Sequence, residues 1–433
     1  MIYQFNSELL KLLNHPVNKY SNNFVLGLSG GVDSMVFLYL VKEVLDQNKL
    51  SYINIYPTII DHSLRSESGL EAENVKKISQ DLGFKTLIKK IKRKKPNGNI
   101  QEWARQNRRE LLFESCCDLS ANLFLAHHLD DQAETIFMRS SRNSGIDGLS
   151  GMKTITFWNG IFILRPLLKF SKNEIVQYAN YKNIKFYEDP SNYLLKYERV
   201  RIRQELNQIK NNKWKTISND LFKLGMNCNK LLNNINIVFE NWLKQNILVD
   251  GCGVVRVNCE SLKLLFKQSD IFCVSLFSKI LLTVGGKSYP PKRKKVCEVI
   301  KSLLICDFKK RTLGNVCISL KNNFIYFLRE KRHLNYNFEI KKNKKYIFDR
   351  RYIIISNVEG KLVSSEKIKF DVVPANSPFY EFKKLINATI PCLQTLEGKL
   401  LKPHLDIIDT KLKHHGNLKY DAFKLYLINR VLI

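Results

Sequence analysis

Two short stretches hold residue types that can do chemistry together. The first, Ser29-Gly30-Gly31-Val32-Asp33-Ser34, follows the apolar run Phe24 to Leu28 and precedes Val36, Phe37, Leu40, Val41, Val44 and Leu45, which recur at helical spacing. A strand, a tight turn and a helix in that order make a cradle for an anion. The two glycines let the backbone turn sharply, and several N–H groups then meet at the positive end of the helix, where hydrogen bonds and dipole both favour negative charge. Ser29 and Ser34 add hydroxyl donors. Asp33 would repel a bare phosphate, so its place in the cradle implies a cation that bridges phosphates. Residues Ser29, Gly30, Gly31, Val32, Asp33 and Ser34 are thus expected to bind a nucleotide's phosphates, although the lysine of a G-x-x-x-x-G-K-[ST] loop is missing.

The second stretch, His127-His128-Leu129-Asp130-Asp131-Gln132-Ala133-Glu134, follows the apolar Leu123 to Ala126 and opens the next helical pattern. Asp131 and Glu134 are three apart and share a helix face, while His127, at the strand end, can turn toward the phosphate loop. A histidine and carboxylates beside a nucleotide can hold magnesium, orient a nucleophile or take its proton. Acids in a first helical turn also cap the helix and favour its dipole, which is a purely structural use.

The elements that position these residues alternate. Phe24 to Leu28, Tyr56 to Ile60 and Leu123 to Ala126 read as strands, each followed by a helical pattern, which predicts an α/β fold with a doubly wound parallel sheet. Ligands in such folds bind at the carboxyl ends of strands, and those ends carry the glycine loop, Asp61-His62-Ser63 and His127-His128. Asp61 therefore joins the phosphate-binding candidates. A capping box, Ser171-x-x-Glu174, opens a helix to about Asn180, and Arg199, Arg201 and Arg203 alternate with Val200 and Ile202 as a basic strip suited to a nucleic-acid backbone. Glycines 145, 148 and 151 suit either a close approach to a flipped base or a plain flexible turn. Beyond residue 212 Leu221 to Trp242 predict long helices, and from Lys310 the pattern turns strand-like. The expected domains are 1–212, a mainly helical 213–333, and an α+β 334–433.

Composition narrows the class. Seventy Lys and Arg against 40 Asp and Glu leave a net charge of +30, a field that attracts polyanions, nucleic acid first among them. Richness in Lys, Asn and Ile is also what biased base composition produces. Ten cysteines lie scattered in a chain that shows no secretion signal, so reduced thiols are expected, and without a Cys-x-x-Cys pair the obvious zinc or iron–sulfur site is missing. No apolar run is long enough to span a membrane, and the first residues lack a signal peptide's layout, so a cytoplasmic enzyme without membrane contact is expected.

Ser29 to Ser34 resembles the PP-loop, the pyrophosphate-binding loop of ATP pyrophosphatases that activate a substrate by adenylation. Asp61 to Arg65, Gly98 to Arg105 with Arg108-Arg109, His127 to Thr135, Met138 to Arg142, Ser144 to Met152, Arg165-Pro166-Leu167 and Asp189 to Arg203 then occur in the order seen in tRNA(Ile)-lysidine synthetases. The resemblance implies a Rossmann-like PP-loop domain followed by two tRNA-binding domains. It implies adenylation of the wobble cytidine of the isoleucine tRNA with a CAU anticodon, then its conversion to lysidine by free L-lysine, with ATP as substrate and Mg2+ as cofactor. By the same resemblance Asp33 and Asp131 are the magnesium candidates, Asp131 or Glu134 takes the lysine ammonium and a proton, His127 assists, and Arg105, Arg108 or Arg109 steadies the transferring phosphoryl group. A homodimer is left open. The rival is a PP-loop tRNA sulfur transferase, which needs a persulfide cysteine or a metal–sulfur cluster near the loop; only Cys116-Cys117 lies in that domain.

Overall fold

The computed structural model describes every residue except 19–20, 63–67, 92, 94–95, 97, 99, 159, 189–193, 288, 305–307, 309, 333, 337, 343, 368–371, 409–423 and 429–433. Ser63, Leu64, Arg65, Asn99 and the stretch from Asp189 to Tyr193 therefore lie outside the described residues. The chain forms two compact units, Met1–Leu231 and Leu232–Ile433.

The first unit runs α1 (Ile2–Leu13), β1 (Asn23–Leu28), α2 (Val32–Gln47), β2 (Asn54–Asp61), α3 (Ser68–Asp81), β3 (Leu87–Lys90), α4 (Ile100–Asp118), β4 (Asn122–Phe124), α5 (Leu129–Ser141), α6 (Ile146–Leu149), β5 (Ile155–Trp158), β6 (Ile161–Leu164), α7 (Lys172–Tyr181) and α8 (Glu198–Asn212). The helix α9 (Ile217–Val238) contains the boundary between the units. The sheet of the first unit has the order β3-β2-β1-β4-β6-β5, parallel except for the antiparallel pair β5 and β6. The doubly wound sheet expected from the alternation is present. Strand order reverses between β1 and β4, so the crevice opens at their carboxyl ends, where the glycine loop and His127 begin.

Strand β1 is apolar throughout because both of its faces are covered. Phe24, Leu26 and Leu28 join Phe37, Phe124 and Leu164 on one side, while Val25 faces Leu112, Cys116, Leu123 and Ile163 on the other. Phe24 stacks on Phe124 at 4.7 Å between ring centres, and Phe37 meets Phe124 edge-on at 5.8 Å, which fixes the start of α2 against the sheet.

The second unit adds α10 (Glu240–Asn246), β7 (Ile247–Val249), β8 (Val255–Asn258), α11 (Cys259–Gln268), α12 (Asp270–Gly285), α13 (Arg293–Leu304), β9 (Arg311–Leu313), β10 (Val316–Lys321) and β11 (Phe324–Arg329). These strands form an antiparallel sheet in the order β7-β8-β11-β10-β9. The helical stretch after residue 212 thus also holds two strands, β7 and β8, too short for a periodic signal. Ile325 and Phe327 face the helices, while Tyr326 and Leu328 face a further core. That core is built on two four-stranded sheets made by β12 (Glu339–Ile340), β13 (Lys345–Phe348), β14 (Tyr352–Ile355), β15 (Gly360–Ser364), β16 (Pro391–Thr395), β17 (Leu400–Leu401), β18 (His404–Ile408) and β19 (Lys424–Ile428). Among the described residues no helix is long and apolar enough to cross a membrane.

Candidate active site

The glycine loop is held mostly by itself. Gly31 is the N-cap of α2, and Gly30 has φ +79°, a left-handed conformation at which a Cβ would also come within 3.0 Å of Val75 Cγ2. Ser34 is buried; its hydroxyl donates to the Gly31 carbonyl at 2.9 Å and accepts from the Ser29 N–H at 3.1 Å. Ser34 therefore braces the turn, whereas Ser29 is the exposed hydroxyl of the pair. The Tyr187 N–H donates to the Gly30 carbonyl at 2.9 Å and ties the loop to the chain beyond α7. Asp61, at the end of the neighbouring strand β2, is buried and accepts from the Ser68 hydroxyl at 3.0 Å, which joins the strand end to the start of α3.

At the start of α5 both uses of the acids coexist. His128 is the N-cap: its Nδ1 accepts from the Asp131 N–H, and Asp131 Oδ2 accepts from the His128 N–H at 3.2 Å, closing a capping box. His128 Nε2 lies 3.5 Å from Asp131 Oδ2 and 3.7 Å from Asp33 Oδ2, so one imidazole stands between the acids of the two motifs. Asp130 turns elsewhere and accepts the Lys172 N–H at 2.7 Å. Lys172 sends its own ammonium to Asp33 Oδ1 at 2.6 Å.

Burial and charge set the protonation states. Burial alone would raise the Asp131 carboxyl, but His128, Arg199 and the His128 backbone N–H outweigh it and hold the group ionised, below the usual carboxylate range. Burial drives His127 far below its ordinary value; Asp131 pulls the other way, while Arg165, Arg199 and Arg108 reinforce the shift. Arg165, itself buried, donates from Nε to His127 Nδ1 at 3.2 Å and is braced by the Lys153 carbonyl at 2.8 Å and the Thr156 hydroxyl at 2.9 Å. A neutral imidazole that accepts at Nδ1 carries its proton on Nε2, so His127 is a hydrogen-bond donor there rather than a base. Glu134 is 2 % exposed, and burial raises its carboxyl against the opposing pull of Arg203. Its Oε1 accepts from Arg203 Nε at 2.6 Å; Oε2 is buried and has no hydrogen-bond partner among the described residues.

The arginines sort differently from their spacing. Residues 198–212 form a helix, so Arg199 and Arg203, one turn apart, share a face and act on Asp131 and Glu134, while Arg201 donates to the Leu195 and Lys196 carbonyls. The alternating basic strip is replaced by a helix that buries Val200 and Ile202. On α4, Arg109 lies over the Trp158 ring at 4.9 Å, and Arg105 is exposed. Arg108 is half-buried, lowered by burial and by Arg105, and contributes to the field at His127. Of the three, Arg108 is the one whose charge bears on the histidine.

The glycine-rich turn between 144 and 152 is clamped. Gln132 of α5 bonds both the Met152 carbonyl at 3.0 Å and the Met152 N–H at 2.7 Å, Arg139 donates to the Gly148 carbonyl at 2.7 Å, and Asn229 of α9 donates to the Ser150 carbonyl at 2.7 Å. Gly151 has φ +68°, and a Cβ there would sit 2.5 Å from Gln132 Nε2. The glycine makes room for this clamp.

Asp33 and the residues His127, Asp131 and Glu134, singled out by spacing in two separate stretches, stand around one crevice. Spacing alone did not assign His128, Arg165, Arg199, Arg203 and Lys172 to this site: His128 lies within the second stretch, and the others come from the end of β6, from α8 and from the start of α7. Mg2+ in nucleotide sites is bound by one or two carboxylates together with phosphate oxygens. Asp33 and Asp131, flanking His128 Nε2, are a donor set of that kind and fit such an ion. Cys116 is buried in α4 and its thiol is pushed up by burial and by Cys117, the reverse of what a sulfur-transferring thiolate needs.

This fold and this loop define the chain as a PP-loop protein, and the family model described as "PP-loop domain" matches residues 1–210. A tRNA(Ile)-lysidine synthase from Wolbachia pipientis wMel is 34% identical over 331 residues, 75% of this chain and 75% of that protein. One from Rickettsia felis is 29% identical over 426 residues, 93% of this chain and 95% of its own length. Among solved structures, the U34-tRNA thiolase NcsA from Methanococcus maripaludis, with its [4Fe-4S] cluster, is 19% identical, with a TM-score of 0.45 over 54% of this chain and 78% of that one. The chain belongs to the tRNA(Ile)-lysidine synthase family, and with it to the ATP-dependent, ligase-type enzymes of tRNA modification.

Proposed function

We propose that the protein adenylates the C2 oxygen of the wobble cytidine in the CAU-anticodon isoleucine tRNA and then joins free L-lysine to C2, giving lysidine, AMP and pyrophosphate. The observation that carries the proposal is the unpartnered, buried Glu134 Oε2 beside ionised Asp131. This acidic pair suits an ammonium, and Asp131 is separated from Asp33 of the pyrophosphate cradle only by the His128 imidazole. In the first step the cytidine oxygen attacks the α-phosphorus of ATP and the bond to the β-phosphate breaks, releasing pyrophosphate toward Ser29 to Ser34. Asp33 and Asp131 would hold Mg2+, which when bound neutralises phosphate charge. The Nε2–H of His127 and the guanidinium of Arg108 steady oxygens that gain charge. In the second step the lysine ε-amine attacks C2 and AMP leaves with the oxygen.

An amine attacks only when neutral, and its ordinary pKa of about 10.4 keeps it protonated at neutral pH. Asp131 and Glu134 bind the ammonium, and Glu134, the acid with the raised pKa, accepts the proton. The reaction belongs in the cytoplasm, where tRNA, lysine and ATP meet. Incubation with labelled lysine, ATP and total tRNA tests the proposal. Label is expected only in the isoleucine tRNA with the CAU anticodon, with one AMP released per lysine joined. Unlabelled tRNA, or label spread over many tRNAs, would overturn it.

A further inference from the structure

Lys172 is the strongest feature of the crevice that this chemistry leaves unused. Its ammonium is 2.6 Å from Asp33 Oδ1, and its backbone N–H is fixed to Asp130 Oδ2 at 2.7 Å. The capping box at Ser171, closed by Glu174, sets where α7 starts and hence where this lysine stands. Fold stability does not account for the pair: its side chains are 42% and 31% exposed, and such ion pairs contribute little in water. Position makes the charge stranger still. Lys172 is the first residue of α7, where the helix dipole already disfavours a cation.

We propose that Lys172 is the phosphate-binding lysine that the loop Ser29–Ser34 lacks, supplied from α7 and directed at the β- and γ-phosphates of ATP. The inference rests on the nucleotide reading of the loop. In the free protein the ammonium pairs with Asp33. When the triphosphate and its bridging cation arrive, Asp33 turns to the cation and Lys172 passes to the phosphate oxygens. Asp33 thus keeps the lysine aimed at the crevice until a polyphosphate replaces it. A divalent ion neutralises only part of a triphosphate's charge, and once the pyrophosphate has separated from AMP, Lys172 remains with it. The lysine therefore recognises pyrophosphate and ATP, and it contributes little to AMP.

The experiment measures equilibrium binding of inorganic pyrophosphate, ATP and AMP to the full chain at fixed Mg2+, for wild type, Lys172→Met and Lys172→Arg, with thermal melting as the check on folding. Lys172→Met is expected to weaken pyrophosphate and ATP by about tenfold or more. AMP affinity stays the same, and Lys172→Arg recovers most of the loss. The same Met substitution in an Asp33→Asn background separates a direct phosphate role from simple neutralisation of Asp33. The loss persists if Lys172 touches phosphate and vanishes if it serves only its aspartate. Wild type that binds pyrophosphate alongside an equally competent Lys172→Met protein would overturn the role of Lys172 while leaving the loop intact. Wild type that binds neither pyrophosphate nor ATP would overturn the phosphate-loop reading itself, and this inference with it.

Discussion

Three ionisable side chains at the site are moved from their ordinary states in two different ways. Burial dominates at His127 and Glu134, while surrounding cations outweigh it at Asp131. The His127 shift has a pH signature. Its folded pKa lies below the unfolded one, so as pH falls below about 6.5 the unfolded chain takes up the proton first and stability is lost, by up to about 1.4 kcal/mol per pH unit for this one group. His127→Gln retains an acceptor for Arg165 and cannot titrate. Urea unfolding of the two proteins should therefore give stability curves that converge as the solution is acidified from pH 7.5 to 5; parallel curves would mean that His127 carries no such shift. The Glu134 shift has a kinetic signature. Glu134→Gln keeps the shape and an acceptor for Arg203, so pyrophosphate release measured without lysine should change little. Lysine transfer should slow by about a hundredfold or more. An equal fall in both steps would assign Glu134 to metal or phosphate binding.

Elements were legible where a pattern ran long enough. Strand β1, the turn at Gly30 and the helix α2 follow directly from apolar spacing and glycine, and the capping box at Ser171 forms as its spacing predicts. Residues 199–203 were not legible, because five residues of alternating arginine and apolar type satisfy a strand period and one helical turn equally well; burial of Leu206 in the same element decides for helix. Partners that meet across the fold, such as Lys172 with Asp33 or Arg165 with His127, leave no local trace at all. The turn at 144–152 shows the same limit: its glycines suggested freedom, but the clamp from Gln132 and Arg139 makes it a fixed brace for the helix that carries Asp131 and Glu134. Gly151→Ala adds a left-handed strain and a clash with Gln132, and should destabilise the protein by about 1–3 kcal/mol in urea unfolding. Gly69→Ala is the control, since a Cβ there meets nothing within 4 Å. Equal midpoints for the two variants would show that the brace yields freely.

At the scale of the whole molecule the net charge of +30 asks which cations serve a partner and which follow from composition alone. Local electrostatics picks out one cluster. Lys292, Arg293, Lys294 and Lys295 are all exposed, and the last three form the first turn of α13, the end of a helix where positive charge is disfavoured by the dipole. Neutralising them should leave stability unchanged or raise it, since each cation in a first turn works against its helix by a few tenths of a kcal/mol, about 0.3 or more. Stability therefore gives no reason for their presence, whereas a tRNA backbone would. With all four replaced by Gln in the full chain, the slope of log affinity for tRNA against log salt should become shallower by a little under about one unit for each phosphate that the cluster had neutralised. Pyrophosphate binding at the glycine loop, measured alone, should stay as in wild type. Filter binding of the isoleucine tRNA between low and physiological salt gives the slope, and thermal melting gives the stability. A lower melting temperature would mean that the cluster supports the helix after all. An unchanged slope with unchanged melting would mean that the four cations are ordinary solvated surface, left by composition, and that the tRNA backbone is held elsewhere.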